Sequence, residues 1–134
     1  MTFNVFVNFD GNCREAVEFY AKVFRQDEAR LMTYGEAPDE NLKEEDKDRI
    51  MYADMTIGDS DVMFMDFSSD MQCVKGNNIQ LTISDHDPQE VRRLFAELKE
   101  GGKVEMDLQE TFWSALYGMV VDKFGVQWHI MQGE

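Results

Sequence analysis

The sequence predicts an α+β protein made of two copies of one module, each a strand, a helix and three more strands. Two observations predict this. "EAVEFYAKV" (15–23) and "EVRRLFAEL" (90–98) share one pattern: Glu, small or branched apolar, two variable residues, two large apolar, Ala, variable, aliphatic. Each copy also follows a stretch that alternates with period two, the signature of a strand with two different faces. In "FNVFVNF" (3–9), Phe3, Val5, Val7 and Phe9 oppose Asn4, Phe6 and Asn8; in "NIQLTIS" (78–84), Ile79, Leu81 and Ile83 oppose Asn78, Gln80, Thr82 and Ser84.

Each element has its own local reason. Asn12 of "NCRE" offers an N-cap to the first helix, with Glu15 placed to close a capping box. Asp87 of "DPQE" offers the second cap, with Pro88 at the first helical position and Glu90 closing the box. Cys13, Ala16, Val17, Tyr20, Val23 and Phe24 form one apolar stripe, and Val91, Leu94, Phe95 and Leu98 form the other. "GG" (101–102) stops the second helix. The strand runs after the first helix are 29–34, 50–57 and 62–67; those after the second are 103–109, 115–122 and 126–131. "GDSD" (58–61) and "KFG" (123–125) read as hairpin turns. The chain thus divides into a first βαβββ module (1–67), a linker (68–77) and a second module (78–134), together one domain. Within the first module the acidic stretch 35–49, containing Pro38, has no apolar period and reads as a solvated loop with a helical turn in "ENLKEEDKD", a lid over a pocket being the lesser alternative. A ferredoxin-like pair or a dimeric α+β barrel would place one strand fewer after each helix.

Composition narrows the function classes. Of 134 residues, 43% are hydrophobic and 12% aromatic, enough for a folded interior. Ten Met and ten Phe suit a core that also shapes a cavity. The formal charge of −14 repels nucleic acid and anionic lipid, so neither is an expected partner. Cys13 and Cys73 form no CxxC pair, "MTFNVFVNFDGN" has no signal-peptide pattern, and no apolar run spans a bilayer. A soluble cytoplasmic protein is the expectation. There is no GxSxG, Walker-type loop or Rossmann fingerprint, and nothing resembles a glycine-rich loop for S-adenosylmethionine.

Two βαβββ modules resemble the vicinal oxygen chelate superfamily, which includes glyoxalase I, extradiol dioxygenases and bleomycin-resistance proteins. "FDGNCREAVEFYAKVF" (9–24), "YGMVVD" (117–122) and "DKFGVQW" (122–128) look like its PhnB-like branch, historically labelled 3-demethylubiquinone methyltransferase-like. The resemblance implies a curved, incompletely closed mixed sheet around a cavity, and a homodimer. It implies no single reaction, because the fold hosts isomerases, dioxygenases, transferases and pure binders.

Metal-using members take four ligands, mostly His and Glu, from the first and last strands of each module. The slot four residues beyond the turn glycine Gly125 is His129. The remaining slots fall near Asn78, at Asn4 or Val5, and at Phe64, Met65 or Asp66, which are poor donors for a transition metal. A divalent metal at His129 is therefore the lesser expectation, and a neutral pocket residue the greater. By alternation Asn4, Phe6, Asn8, Tyr52, Asp54, Met63, Gln80, Thr82, Gln127 and His129 face a ligand-binding cavity, with Trp113 and Tyr117 as aromatic neighbours. Trp128 could also stack on a flat ligand, or Trp113 and Tyr117 could pack at a subunit interface. Three functions fit. The first is a metal-free small-molecule binder. The second is an enzyme, metal-dependent (lyase, isomerase or dioxygenase) or with His129 or Asp54 as general base, the latter only if burial raises its pKa. The third is a dimeric interaction protein with a relict cavity. Cys13, in the first helical turn, is either a thiolate favoured by the helix dipole or an inert buried thiol. His86 reads as an exposed turn residue.

Overall fold

The computed structural model describes residues 1–27, 29–37 and 39–133. The chain forms two compact units, Met1–Val74 and Lys75–Glu134, each with one four-stranded mixed sheet and one α-helix.

In the first unit β1 (Val5–Phe9) leads into α1 (Cys13–Val23), followed by β2 (Arg30–Thr33), β3 (Ile50–Ile57) and β4 (Ser60–Asp66). The sheet order is β1-β4-β3-β2, with β1 and β4 parallel and the other pairs antiparallel. Helix α1 packs on β3 and β4. The expected stripe of Cys13, Ala16, Val17, Tyr20 and Val23 is buried, along with Phe9, Ile50, Ala53, Met55 and Phe64. Tyr20 stacks on Phe64 with ring centroids 5.8 Å apart. Five such fully desolvated side chains on an eleven-residue helix supply a driving force that its propensity alone would not. Strand β1 begins at Val5, two residues later than the alternation suggests, and leaves Phe3 and Asn4 exposed.

The capping of α1 differs from the expectation. Asn12 makes no side-chain capping bond. Oδ1 of Asp66 accepts the backbone N–H groups of Gly11 (2.8 Å) and Cys13 (3.0 Å), and Oδ2 accepts that of Ile50 (2.9 Å). A carboxylate from another strand has taken the cap's role, because it also serves the start of β3.

The acidic stretch 35–49 also departs from a merely solvated loop. Its helical turn forms at Glu44–Asp46, and Asp46 is buried. The Asp46 carboxylate accepts from Ser69 N (3.0 Å) and Ser69 Oγ (3.1 Å) and pairs with Arg49 Nε (3.4 Å). Arg49 Nη1 in turn reaches Asp10 (3.0 Å) and the carbonyl of Phe67 (2.9 Å). A buried acid needs such partners, so Asp46 anchors the loop. Pro38 lies outside the described residues.

The second unit repeats the plan with β5 (Leu81–Asp85), α2 (Pro88–Leu98), β6 (Lys103–Gln109), β7 (Tyr117–Val121) and β8 (Gln127–Gln132), in the order β5-β8-β7-β6. Strand β5 starts three residues after the alternation begins, so Asn78 lies outside it. Here the cap residue is as expected, the Asp87 carboxylate accepting from Gln89 N at 2.9 Å and Pro88 opening the helix. The Asp87 N–H, however, donates to Asp85 Oδ1 at 2.8 Å, the role expected of Glu90. Glu90 pairs with Arg93. Val91, Leu94, Phe95 and Leu98 are buried against the sheet with Val120, Trp128 and Ile130. Gly118 lets α2 approach β7: a Cβ there would stand 2.8 Å from the Phe95 ring.

The turn between β7 and β8 is built around Asp122. Its carboxylate accepts from Phe124 N (2.9 Å), Val126 N (3.0 Å) and the indole Nε1 of Trp128 (2.9 Å). Trp128 is therefore a core residue on the helix side, not a wall for a flat ligand. Among the described residues, no helix is long and apolar enough to cross a membrane.

Candidate functional site

Strand pairing fixes which residues of the two modules correspond. Met63 is opposite Phe6 and Asp54, whereas His129 is opposite Thr82 and Met119. Met63 and His129 thus hold the same position in the two sheets. Of the positions expected to correspond to His129, Phe64 and Asp66 are buried on the helix side, and Met65 lies opposite Asn8, one step along the same face from Met63. Six of the twelve residues expected at the site lie in the first unit and six in the second.

In the second unit, five of the six form a contiguous set. The Tyr117 hydroxyl bonds to Nδ1 of His129, whose Nε2 bonds to Oε1 of Gln80. Gln80 Nε2 donates to Gln127 Oε1 at 2.8 Å, and Gln127 Nε2 donates to the carbonyl oxygen of Gly76 at 3.1 Å. Trp113 meets Tyr117 edge to face, with ring centroids 5.3 Å apart, and Phe112 meets Trp113 likewise at 4.8 Å. Tyr117 is only 7% exposed, while Phe112 is 97% and Trp113 54% exposed. Burial pushes the Tyr117 phenol above its ordinary pKa, so it stays a neutral O–H donor. Thr82 stands exposed beside His129.

In the first unit, Asn4, Tyr52, Asp54 and Met63 line a depression of about 360 Å³ together with Arg30, Met55, Thr56 and Asp61. Phe6 lies edge-on to Tyr52 at 6.1 Å. Asn8 is exposed, and its carbonyl accepts from the Cys73 thiol at 3.5 Å. The residue that alternation missed is Arg30. Its Nε and Nη2 grip both oxygens of Asp54 at 3.1 and 2.6 Å, and Tyr52 adds an O–H donor to Oδ2 at 2.8 Å. The clue was present, since "ARLMTY" places Arg30 on one face with Met32, but the sequence does not say which residue of β3 it meets. These donors, Arg30 foremost, hold the Asp54 carboxyl below the ordinary carboxylate range. Asp54 is therefore a weakened base, contrary to the role in which burial would raise its pKa.

The donor set suits a metal poorly. His129 has both ring nitrogens engaged, its counterpart Met63 is a thioether, and its neighbours are Thr82, opposite it on β5, and Gln80, just before that strand. Among the described residues, no group of three or more His, Cys, Asp and Glu side chains could hold an ion. Cys13 is fully buried, and that burial, reinforced by the Asp66 carboxylate, pushes its thiol up to about 12. It is the inert thiol of the two readings. His86 is an exposed turn residue, 3.8 Å from the Asp85 carboxylate.

Two βαβββ units, with polar and aromatic side chains on the face that the helix leaves bare, define a protein of the vicinal oxygen chelate (glyoxalase-like) class. The fold is shared with the fosfomycin resistance protein FosX of Mesorhizobium loti, at a TM-score of 0.64 and 11% identity, over 100% of this chain and 92% of that one. Within that class the chain belongs to the PhnB-like family described as 3-demethylubiquinone-9 3-methyltransferase, whose model matches residues 2–131. It is 31% identical to protein PA1353 of Pseudomonas aeruginosa, with a TM-score of 0.89 over 98% of this chain and 97% of that one. It is 29% identical to protein YjdN of Escherichia coli K12, covering 97% of this chain and 94% of the relative. The PhnB protein of Bacillus cereus superposes with a TM-score of 0.81 at 23% identity, over 99% of this chain and all of that one.

Proposed function

We propose that the protein binds a small molecule on the helix-free faces of its sheets, without a resident metal, and acts as a cytoplasmic homodimer. The observation that carries this reading is the engagement of His129. An imidazole that ligates a metal must offer a nitrogen lone pair, and here Tyr117 and Gln80 occupy both nitrogens. What remains is a hydrogen-bonding set beside exposed aromatic rings, a combination that suits flat organic ligands. Dimerisation draws support from Phe112 and Trp113, whose exposure is unusual for large apolar side chains. The two free thiols suit a reducing compartment.

Methyl transfer, which the family's description suggests, draws no support from the strand–helix turns. The β1–α1 turn is Asp10-Gly11-Asn12 and the β5–α2 turn is His86-Asp87, leaving no glycine-rich loop to cradle a nucleoside-bearing cofactor. Catalysis by Asp54 as base is opposed by its grip on Arg30.

The test is elemental analysis of untagged protein followed by Ni²⁺, Zn²⁺ and Fe²⁺ titration, wild type against His129→Ala. Neither protein should bind a stoichiometric ion. A metabolite and drug screen should then find ligands that raise Tm without being turned over, and light scattering should give a dimer mass. Stoichiometric metal that disappears in His129→Ala would overturn the reading in favour of a metal-dependent lyase, isomerase or dioxygenase.

A further inference from the structure

The chain of hydrogen bonds through His129 has a direction, and one atom sets it. The carbonyl oxygen of Gly76 can only accept, so the amide end of Gln127 that faces it must be the NH₂ group. Gln127 then presents Oε1 to Gln80, which must answer with its own NH₂ group. The Oε1 of Gln80 is thereby turned to His129, so Nε2 of the ring carries the proton. In the neutral ring Nδ1 is then a bare lone pair, and the Tyr117 hydroxyl must donate to it. Turning any one member round would set two acceptors or two donors face to face in a half-buried chain, and each such mismatch forfeits a hydrogen bond.

We infer that Gly76 fixes the polarity of the whole chain and leaves the Tyr117 phenolic oxygen as an acceptor only. The ligand selected there is an aromatic or heteroaromatic compound carrying an O–H or N–H donor, its ring against Trp113. This rests on the reading that the second unit's polar face binds a small molecule. The hydroxyl's only proton is committed to His129, and Trp113 lies edge-on to the same tyrosine ring. A ligand offering only a carbonyl or ether oxygen would find no donor on Tyr117.

Two measurements test it. The chain has two histidines, so in ¹⁵N-labelled His86→Asn protein the ring resonances belong to His129 alone. At about pH 8.5, above the ordinary histidine range, long-range ¹H–¹⁵N correlation should show the proton on Nε2. In Gln80→Leu, which removes the acceptor, the two tautomers should mix. Indole and N-methylindole are then titrated by chemical-shift perturbation. Indole should bind about tenfold more tightly, the worth of one hydrogen bond, and Tyr117→Phe should abolish the difference. A ring proton on Nδ1, or equal binding of the two probes to wild type, overturns the inference. If neither probe binds, the ligand class falls while the metabolite and drug screen still decides the binding reading, and a proton on Nε2 would still uphold the polarity.

Discussion

Asp66, the last residue of β4, accepts the backbone N–H of Cys13, the first residue of α1, at 3.0 Å. The two are 53 positions apart in the chain, so the helix starts where the sheet provides an acceptor. The same carboxylate holds Gly11 and Ile50 and is 1% exposed. Asp66→Ala would strand three N–H groups and should cost about 3 kcal/mol. Asn12→Ala should cost under about 0.5 kcal/mol, because Asn12 makes no capping bond. Urea denaturation of the two variants measures the contrast, and equal losses would return the cap to Asn12.

The Arg30–Asp54 pair predicts an acid dependence. The Asp54 carboxyl is lower in the folded protein than its ordinary value, so folding favours its ionised form. That stabilisation is complete above the unfolded value of about 3.9 and is lost as pH falls through the lower folded value. Asp54→Asn should therefore be less stable than wild type at neutral pH, and the gap should close in strong acid. Because the Arg30 side chain is 83% exposed, the gap should also shrink in high salt. A gap that widens on acidification would contradict the pairing.

Gly118 is the point where α2 comes down on β7. A methyl group there would meet the Phe95 ring at 2.8 Å and the carbonyl of Met106 at 3.1 Å. Gly118→Ala should destabilise the protein by about 2 kcal/mol through overpacking. Adding Phe95→Leu should recover part of that loss, read as coupling in a double-mutant cycle.

The two thiols should differ sharply in reactivity. Cys13 is fully buried with its thiol pushed up to about 12, whereas Cys73 is half-buried. Iodoacetamide at neutral pH should label Cys73 alone, with Cys13 reacting only when the protein unfolds. Mass spectrometry of the peptides distinguishes the two, and rapid native-state labelling at Cys13 would revive it as a reactive site.

Element order and side-chain faces could be read from the chain because both follow from local periodicity. Alternation about Val5, Val7 and Phe9 marks β1 wherever it sits, and the stripe from Cys13 to Val23 marks α1. The Asp87–Pro88 start of α2 was legible for the same reason, its partners being adjacent in the chain. His129 was placed correctly on the face opposite Trp128 and Ile130 by counting along one strand.

Contacts between strands were not legible. Arg30 escaped notice because its partner, Asp54, is 24 residues away, and alternation gives a residue's face but not its neighbour across the sheet. For the same reason the chain alone does not tell that Asp66 turns to the helix side and to the backbone of Gly11, Cys13 and Ile50. The sequence by itself determined two βαβββ modules and the faces of their strands, since period and capping act over a few residues. Only the tertiary structure decided that Asp66 caps α1, that Arg30 restrains Asp54, and that Tyr117 and Gln80 hold His129. These depend on strand register, which is set by packing between segments far apart in the chain.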